Sequence, residues 1–257
     1  MGVFEESSPN IFQFGFRIYK LIKDGPLSKA GAKEMTDFII PPDEVLYQKN
    51  TFKDWILSIA DQTIKMKIYS LSIRNFKIIE VKTNKADSKD GVLGAGVKFE
   101  NFENAEKKLL HVISVEENSF AQKTLGLIQN EDYIIAVKGQ DTRIISLNIE
   151  EYNPLQVLNM VINNNRGKNL IFYIYNKKKG PLSVEAKIEE GEDFTLGCDV
   201  AYGALHEFPK EDGEISEEII KEKENINIKK EEKIVNNEKK VELNVKENND
   251  VIEEDII

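Results

Sequence analysis

One order of elements runs twice through this chain, and that repetition narrows what it can fold into more than anything else in the sequence. Residues 14–40 open with a β-rich run from Phe14 to Leu21 and turn at Asp24-Gly25-Pro26. A short helical piece leads to Ala30-Gly31, and Asp37-Phe38-Ile39-Ile40 closes the stretch. Residues 110–135 restate that order as Leu110 to Val115, Glu117-Asn118-Ser119, Leu125-Gly126 and Asp132-Tyr133-Ile134-Ile135. The pairs Gly31/Gly126 and Asp37/Asp132 both stand 95 residues apart. Each half then carries a helix-period segment, Phe52 to Ala60 and Pro154 to Ile162. Two strand-like runs follow, Lys65 to Tyr69 with Phe76 to Val81, and Leu170 to Tyr175 with Leu182 to Ile188. Each half ends on a glycine motif, Leu93-Gly94-Ala95-Gly96-Val97 and Leu196-Gly197-Cys198-Asp199-Val200, now 103 residues apart. A drift in spacing is what loop insertions between repeated elements produce, so the chain holds two copies of one unit.

Each unit combines short strands with two short helices, which predicts an α+β, mainly β class: two tandem small barrels or sandwiches closed by helices. Phe52, Ile56 and Ile59 lie at i, i+4, i+7 in the first helix, and Leu155, Leu158 and Ile162 make the corresponding stripe in the second, where Pro154 suits the first helical turn. The expected organisation is a terminal segment 1–11, a first domain 12–104, a second domain 105–209 and a charged tail 210–257. Lys177-Lys178-Lys179 before Gly180-Pro181 reads as a hairpin turn.

Charge is concentrated in the tail. From Lys210 to Ile257, 16 acidic residues against 9 basic ones supply −7 of the chain's net −10, and aromatics are absent there. Such a stretch buries too little apolar area to offset the entropy of ordering it and is expected to be disordered or transiently helical. The remainder is near neutral and carries no basic stripe with interleaved aromatics, so no nucleic-acid partner is expected. No apolar run approaches the roughly 20 residues that span a bilayer. A single cysteine, Cys198, leaves no internal disulfide framework.

The residues for catalysis are scarce. Two histidines, His111 and His206, and one cysteine give little to build a Ser-His-Asp or Cys-His site, and a closed zinc site wants four such ligands. No enzyme, cofactor or metal is expected. Gly91, Gly94 and Gly96 suggest a phosphate loop, but Val97-Lys98-Phe99 continues as a strand, whereas a nucleotide loop opens a helix. A glycine before a strand can instead turn backbone N–H groups into a concavity where a chain-terminal carboxylate docks, the ligand then adding as a strand to the sheet edge. Two candidate grooves follow. The first joins Leu93, Gly94, Ala95, Gly96 and Val97 to Phe52, Ile56 and Ile59. The second joins Leu196, Gly197, Cys198, Asp199 and Val200 to Leu155, Leu158 and Ile162.

The Asp-Phe-Ile-Ile and Asp-Tyr-Ile-Ile runs, with the Leu-Gly strand closing each unit, resemble the GRASP region of Golgi reassembly and stacking proteins. The most telling segments are Leu93 to Asn104, His111 to Ser119, and Leu196 to Cys198 through Tyr202 to Pro209. The resemblance covers about residues 12–209 and implies PDZ-like domains of circularly permuted strand order. It implies a scaffold on the cytoplasmic face of Golgi or early secretory membranes that binds golgin-type coiled-coil proteins and cargo C-termini. Self-association in trans into a homo-oligomer, with most partner binding at the first groove, is also implied. It further implies N-myristoylation at Gly2, although Glu6 stands where the usual pattern has Ser or Thr; one such chain binds membranes only marginally and needs a second attachment. Where some members have a His and a Cys near the first groove, this chain has Arg17 and Glu100, which points to an ion pair and no metal. The tail has one serine, Ser216, and no threonine, against control by multisite phosphorylation. Its end, Glu254-Asp255-Ile256-Ile257, reads either as a frayed acidic tail or as a ligand for a groove of this chain. The alternatives are a soluble PDZ-type adaptor and a protease-associated regulatory PDZ tandem without catalysis.

Overall fold

A computed structural model describes residues 13–42, 45, 51–139, 143–148, 152–191 and 194–211. The expected terminal segment 1–11 with Gly2, and the tail from residue 212 with its terminal Ile257, lie outside the described residues.

The first half contains β1 (Phe14–Leu21), α1 (Pro26–Lys29), β2 (Asp37–Ile40), α2 (Thr51–Ser58), β3 (Thr63–Ser70), β4 (Asn75–Lys82) and β5 (Ala95–Asn101). The second contains β6 (Leu110–Val115), α3 (Phe120–Lys123), β7 (Asp132–Gly139), β8 (Ile145–Ser146), α4 (Pro154–Asn164), β9 (Asn169–Asn176), β10 (Gly180–Lys187) and β11 (Cys198–Ala201). The sheets run β4-β3-β2-β1-β5 and β10-β9-β7-β6-β11, with β8 added to β7, and every pairing is antiparallel. The mainly β class and the duplication read from the sequence are therefore present, with the glycine-motif strand last in the chain and at the sheet edge in both halves.

The duplication extends to single-residue detail. Lys20 faces Gly96 as Ser114 faces Asp199, and Ile18 faces Val97 as Val112 faces Val200. Between these pairs each first strand carries one extra residue, Tyr19 or Ile113, as a bulge. A bulge bends its strand and re-aims the side chains around it, so its recurrence at the same place gives both edges the same curvature.

Each sheet covers one core. In the first, Ile18, Ile39, Met66, Ile68 and Val81 are buried together with Leu27 of α1 and Leu93 of the glycine motif. In the second, Leu110, Val112, Ile134, Phe172 and Leu170 pack under α4. That helix buries Pro154, Val157, Leu158, Val161 and Ile162, spaced at i, i+3, i+4, i+7, i+8, and begins where the Asn153 side chain accepts a hydrogen bond from the Gln156 amide at 2.8 Å. The stripe expected from the sequence is displaced at one position: Leu155 stands at the rim, 38% exposed. Lys177 to Lys179 form the hairpin turn between β9 and β10, and Gly180 follows with φ of 82°.

A third buried cluster joins the halves. Tyr19, Met35 and Leu71 of the first half meet Tyr133, Ile135, Tyr175 and Phe208 of the second. The segment after β11 fastens this seam, since Phe208 N donates to Glu106 O, Arg74 pairs with Glu207 at 2.8 Å, and Glu211 N donates to Ser72 O.

Candidate functional site: the two Leu-Gly grooves

The two glycine motifs owe their shape to the same two hydrogen bonds. In the second half Leu196 O accepts from Ala121 N at 2.7 Å and Gly197 O from Glu116 N at 2.9 Å. In the first, Leu93 O accepts from Leu27 N at 3.2 Å and Gly94 O from Ile22 N at 2.8 Å. A trans peptide points its C=O and N–H in opposite directions. Fixing these carbonyls on the short helix and on the residue that follows the first strand therefore aims the amides of Gly197 and Cys198, and of Gly94 and Ala95, away from them. Only glycine fits the pivot. Gly94 and Gly197 have φ of 62° and 70°, and a Cβ would come within 2.9 Å of Pro26 Cδ in one and 2.3 Å of Ser119 Cβ in the other.

Beyond the loops the halves diverge. In the second half all eight residues expected for the groove line one cavity of about 350 Å³: Leu155, Leu158 and Ile162 from α4, and Leu196, Gly197, Cys198, Asp199 and Val200 from the loop and β11. Its size falls in the range of small-molecule and peptide side-chain pockets. β11 forms the sheet's outer edge, with β6 on its other side. In the first half the corresponding side chains pack on one another. The rings of Phe52 on α2 and Phe16 on β1 stack with centroids 3.5 Å apart, and Trp55 lies 5.7 Å from Phe52. Ile56, Ile59, Ala95 and Val97 join that half's core as partly buried residues. Phe99 extends the aromatic surface, 5.1 Å from Phe16 and 5.5 Å from Phe14. The groove residues of each half are thus brought together, around a cavity in the second and around stacked rings in the first.

Charge also separates the halves. Glu116, Asp199 and Arg166 all line the second cavity. Burial, with Asp199 and Glu116 adding to it, pushes the Cys198 thiol up to about 11, so at neutral pH it is a thiol and a poor nucleophile. The two histidines sit together. His111 Nδ1 and His206 Nδ1 lie 3.4 Å apart, and the His111 ring stacks on Tyr133 with centroids 4.6 Å apart.

Arg17 and Glu100 form the expected ion pair, Nε to Oε2 at 3.4 Å, with the guanidinium 0% and the carboxylate 4% exposed. Tyr19 OH donates to Glu100 Oε1 at 2.8 Å, Lys98 approaches the same oxygen at 3.3 Å, and the guanidinium lies 4.6 Å over the Phe38 ring. Burial drives the Tyr19 phenol far above its ordinary value.

Two residues central to this geometry were not singled out from the sequence, Phe16 and Arg166. The second had a signal. From Ile59 to the start of β3 the chain needs three residues, Ala60 to Gln62, and from Ile162 to the start of β9 it needs six, Asn163 to Lys168. Arg166 belongs to that insertion.

Comparison with known proteins settles the family. The model of the GRASP55/65 PDZ-like domain matches residues 5–97 and again residues 66–211. The chain belongs to this family. The two matches overlap over residues 66–97, and the second runs on through the second half. Golgi reassembly-stacking protein 1 of Homo sapiens is 28% identical over 200 residues, 76% of this chain and 43% of that protein. The Mus musculus protein of the same name is 28% identical over 200 residues, 76% of this chain and 42% of that one. GRASP65 homolog protein 1 of Saccharomyces cerevisiae is 30% identical over 102 residues, 38% of this chain and 24% of that protein. The chain spans less than half the length of these mammalian relatives.

Proposed function

We propose that this chain is a non-catalytic scaffold of Golgi or early secretory membranes and that its second groove receives a partner's peptide as an added strand on β11. The observation that carries this reading is the cavity between α4 and β11, bordered by the outward amides of the Leu-Gly loop and lined by Leu155, Leu158, Ile162 and Leu196. An extended peptide gains main-chain hydrogen bonds from a free edge strand and specificity from a side-chain pocket beside it, and the second half supplies both. The Golgi setting rests on the family and on the names of its mammalian relatives. Golgin-type proteins and cargo C-termini are the proposed partners, and Gly2 is the proposed lipid attachment. Self-association has a structural candidate in Leu205, 94% exposed on the turn Ala204–His206.

The test is binding of a synthetic heptapeptide array, varied in its last position over the apolar residues, to the full chain and to Leu155→Lys. Leu155 is exposed at the cavity rim, so its replacement leaves the core intact. Binding in the second groove predicts at least about a tenfold loss in the variant, the scale of removing one well-placed apolar contact and adding a desolvated charge. Absence of binding to any peptide, or unchanged affinity in the variant, overturns the reading.

A further inference from the structure

The outer edges of the two sheets carry opposite charge at one equivalent place. Ser114 on β6 faces Asp199 on β11 where Lys20 on β1 faces Gly96 on β5. Asp199 and Lys20 are both exposed. A Cβ on Gly96 would meet the Lys20 Cβ at 3.6 Å, on the same face of the sheet. The first edge therefore presents a lysine where the second presents an aspartate.

Asp199 is fixed by its neighbour across the ladder. Ser114 Oγ donates to Asp199 Oδ2 at 2.7 Å and accepts from Asp199 N at 3.3 Å. No cation pairs with this carboxylate among the described residues. Arg166, the basic residue that lines the neighbouring cavity, is engaged with Asn163 Oδ1 at 2.8 Å and with Phe194 O at 3.4 Å. Cys198 and Val200, on either side of Asp199, pack against the core of the second half. Side chains alternate along a strand, so Asp199 projects from the opposite face.

Peptide groups alternate in direction as well. With the Asp199 amide turned to β6, Cys198 and Val200 are the positions of β11 that hydrogen-bond outward. Every pairing in this sheet is antiparallel, and an added strand continues that pattern. The ligand residue between those two positions then lies opposite Asp199 as a non-hydrogen-bonded pair, with Cα atoms about 4.5 Å apart and side chains at their closest. Opposite charges at such a place stabilise the pairing and like charges destabilise it.

Resting on the reading of the second groove as a peptide receptor, we propose that Asp199, oriented by Ser114, is a specificity-determining residue and selects peptides with Lys or Arg at the strand position across from it. It reads a side chain within the ligand, on the sheet face away from the core, and so acts independently of how the end of the peptide is held.

The tightest heptapeptide of the array is made with Lys, Gln or Glu at each position before the last in turn. Affinities are measured by fluorescence anisotropy, at low and high salt, on the full chain, Asp199→Asn, Asp199→Lys, Ser114→Ala and Ser114→Thr. At one position the full chain should favour Lys over Glu by at least about fivefold, with Gln between them, and salt should shrink the ratio. Asp199→Asn should remove that ratio while the Gln peptide binds as before, and Asp199→Lys should invert it. Ser114→Ala should reduce the ratio, and Ser114→Thr, which keeps the hydroxyl, should retain it. Equal affinity for Lys and Glu at every position overturns the role of Asp199 and leaves the groove reading intact, as does a Lys preference that survives in Asp199→Asn. Failure of every peptide to bind overturns the groove reading and this inference with it.

Discussion

Arg17 and His111 occupy the same place in the two halves. Arg17 sits across from Phe38 on one side and Lys98 on the other, and His111 across from Tyr133 and Ala201. Each lays its cationic or ring group over the aromatic residue of the next strand, Arg17 over Phe38 and His111 over Tyr133, both at 4.6 Å. One is a permanent charge sealed from solvent with Glu100 as partner. The other is a titratable ring, half-buried and paired with His206. The grooves show the same division of labour. Where Phe52 stacks on Phe16 the first groove is lined by packed rings, and where Leu155 takes the equivalent place on α4 the second borders a cavity. A duplicated unit has kept its backbone, down to the bulges at Tyr19 and Ile113, while one copy turned its polar and aromatic side chains toward fixed structure and the other kept them available.

The comparison is broken most severely at the buried pair. Glu100→Ala leaves the Arg17 guanidinium buried without its countercharge and should destabilise the protein by about 3–5 kcal/mol, read by chemical denaturation. Replacing both as Arg17→Met with Glu100→Leu should recover most of that loss, since an apolar pair needs no desolvation of charge. If the single variant is as stable as the parent, Arg17 is not held as a fixed structural charge and the contrast with His111 fails.

The histidine pair gives a smaller effect with a definite sign. Burial holds the His111 imidazole below its ordinary value near 6.5, with Lys177 and His206 adding to the depression and the Asn130 backbone opposing it. Its folded-state value lies below its unfolded one, so the stability it contributes is complete above the unfolded value and is lost as pH falls through the folded one. Lys177, over the Tyr133 ring at 5.3 Å, and His206 are the groups that face it. The His111 ring proton should titrate with a midpoint below 6.5 by NMR. The small stability loss between about pH 7 and pH 5 should shrink in His111→Gln. A midpoint at or above the ordinary value would show that this ring is not held neutral.

Much of this architecture was legible in the sequence because a repeat exposes its own register. Asp37 and Asp132, or Gly94 and Gly197, announce equivalent places without any knowledge of the fold, and the helix positions flanking the second cavity followed from a 3.6-residue period. The Arg17–Glu100 pair came from the family resemblance and not from periodicity. Pairwise spacing was silent on what fills the space between equivalent elements. Phe16 reads as one more apolar residue in a β-rich run, and only the folded chain brings its ring onto Phe52. Leu155 sits one residue after a helix start, so a rotation of the stripe by one position decides between core and rim. Arg166 was concealed for the opposite reason, since it lies in an insertion and has no repeat partner to mark it. The resemblance also implied that the first groove carries most partner binding; the role given to the second is our proposal, made on its cavity.

The contrast between a groove lined by stacked rings and one that borders a cavity is tested most directly by following backbone amide NMR signals as the tightest peptide of the array is added. The account predicts that Gly197, Cys198 and Val200 shift together with Leu155 and Ile162, while Gly94, Ala95 and Val97 stay where they were. Shifts concentrated at Gly94 to Val97 and on α2 would contradict it, because Phe52 would then have to leave Phe16 to admit the ligand.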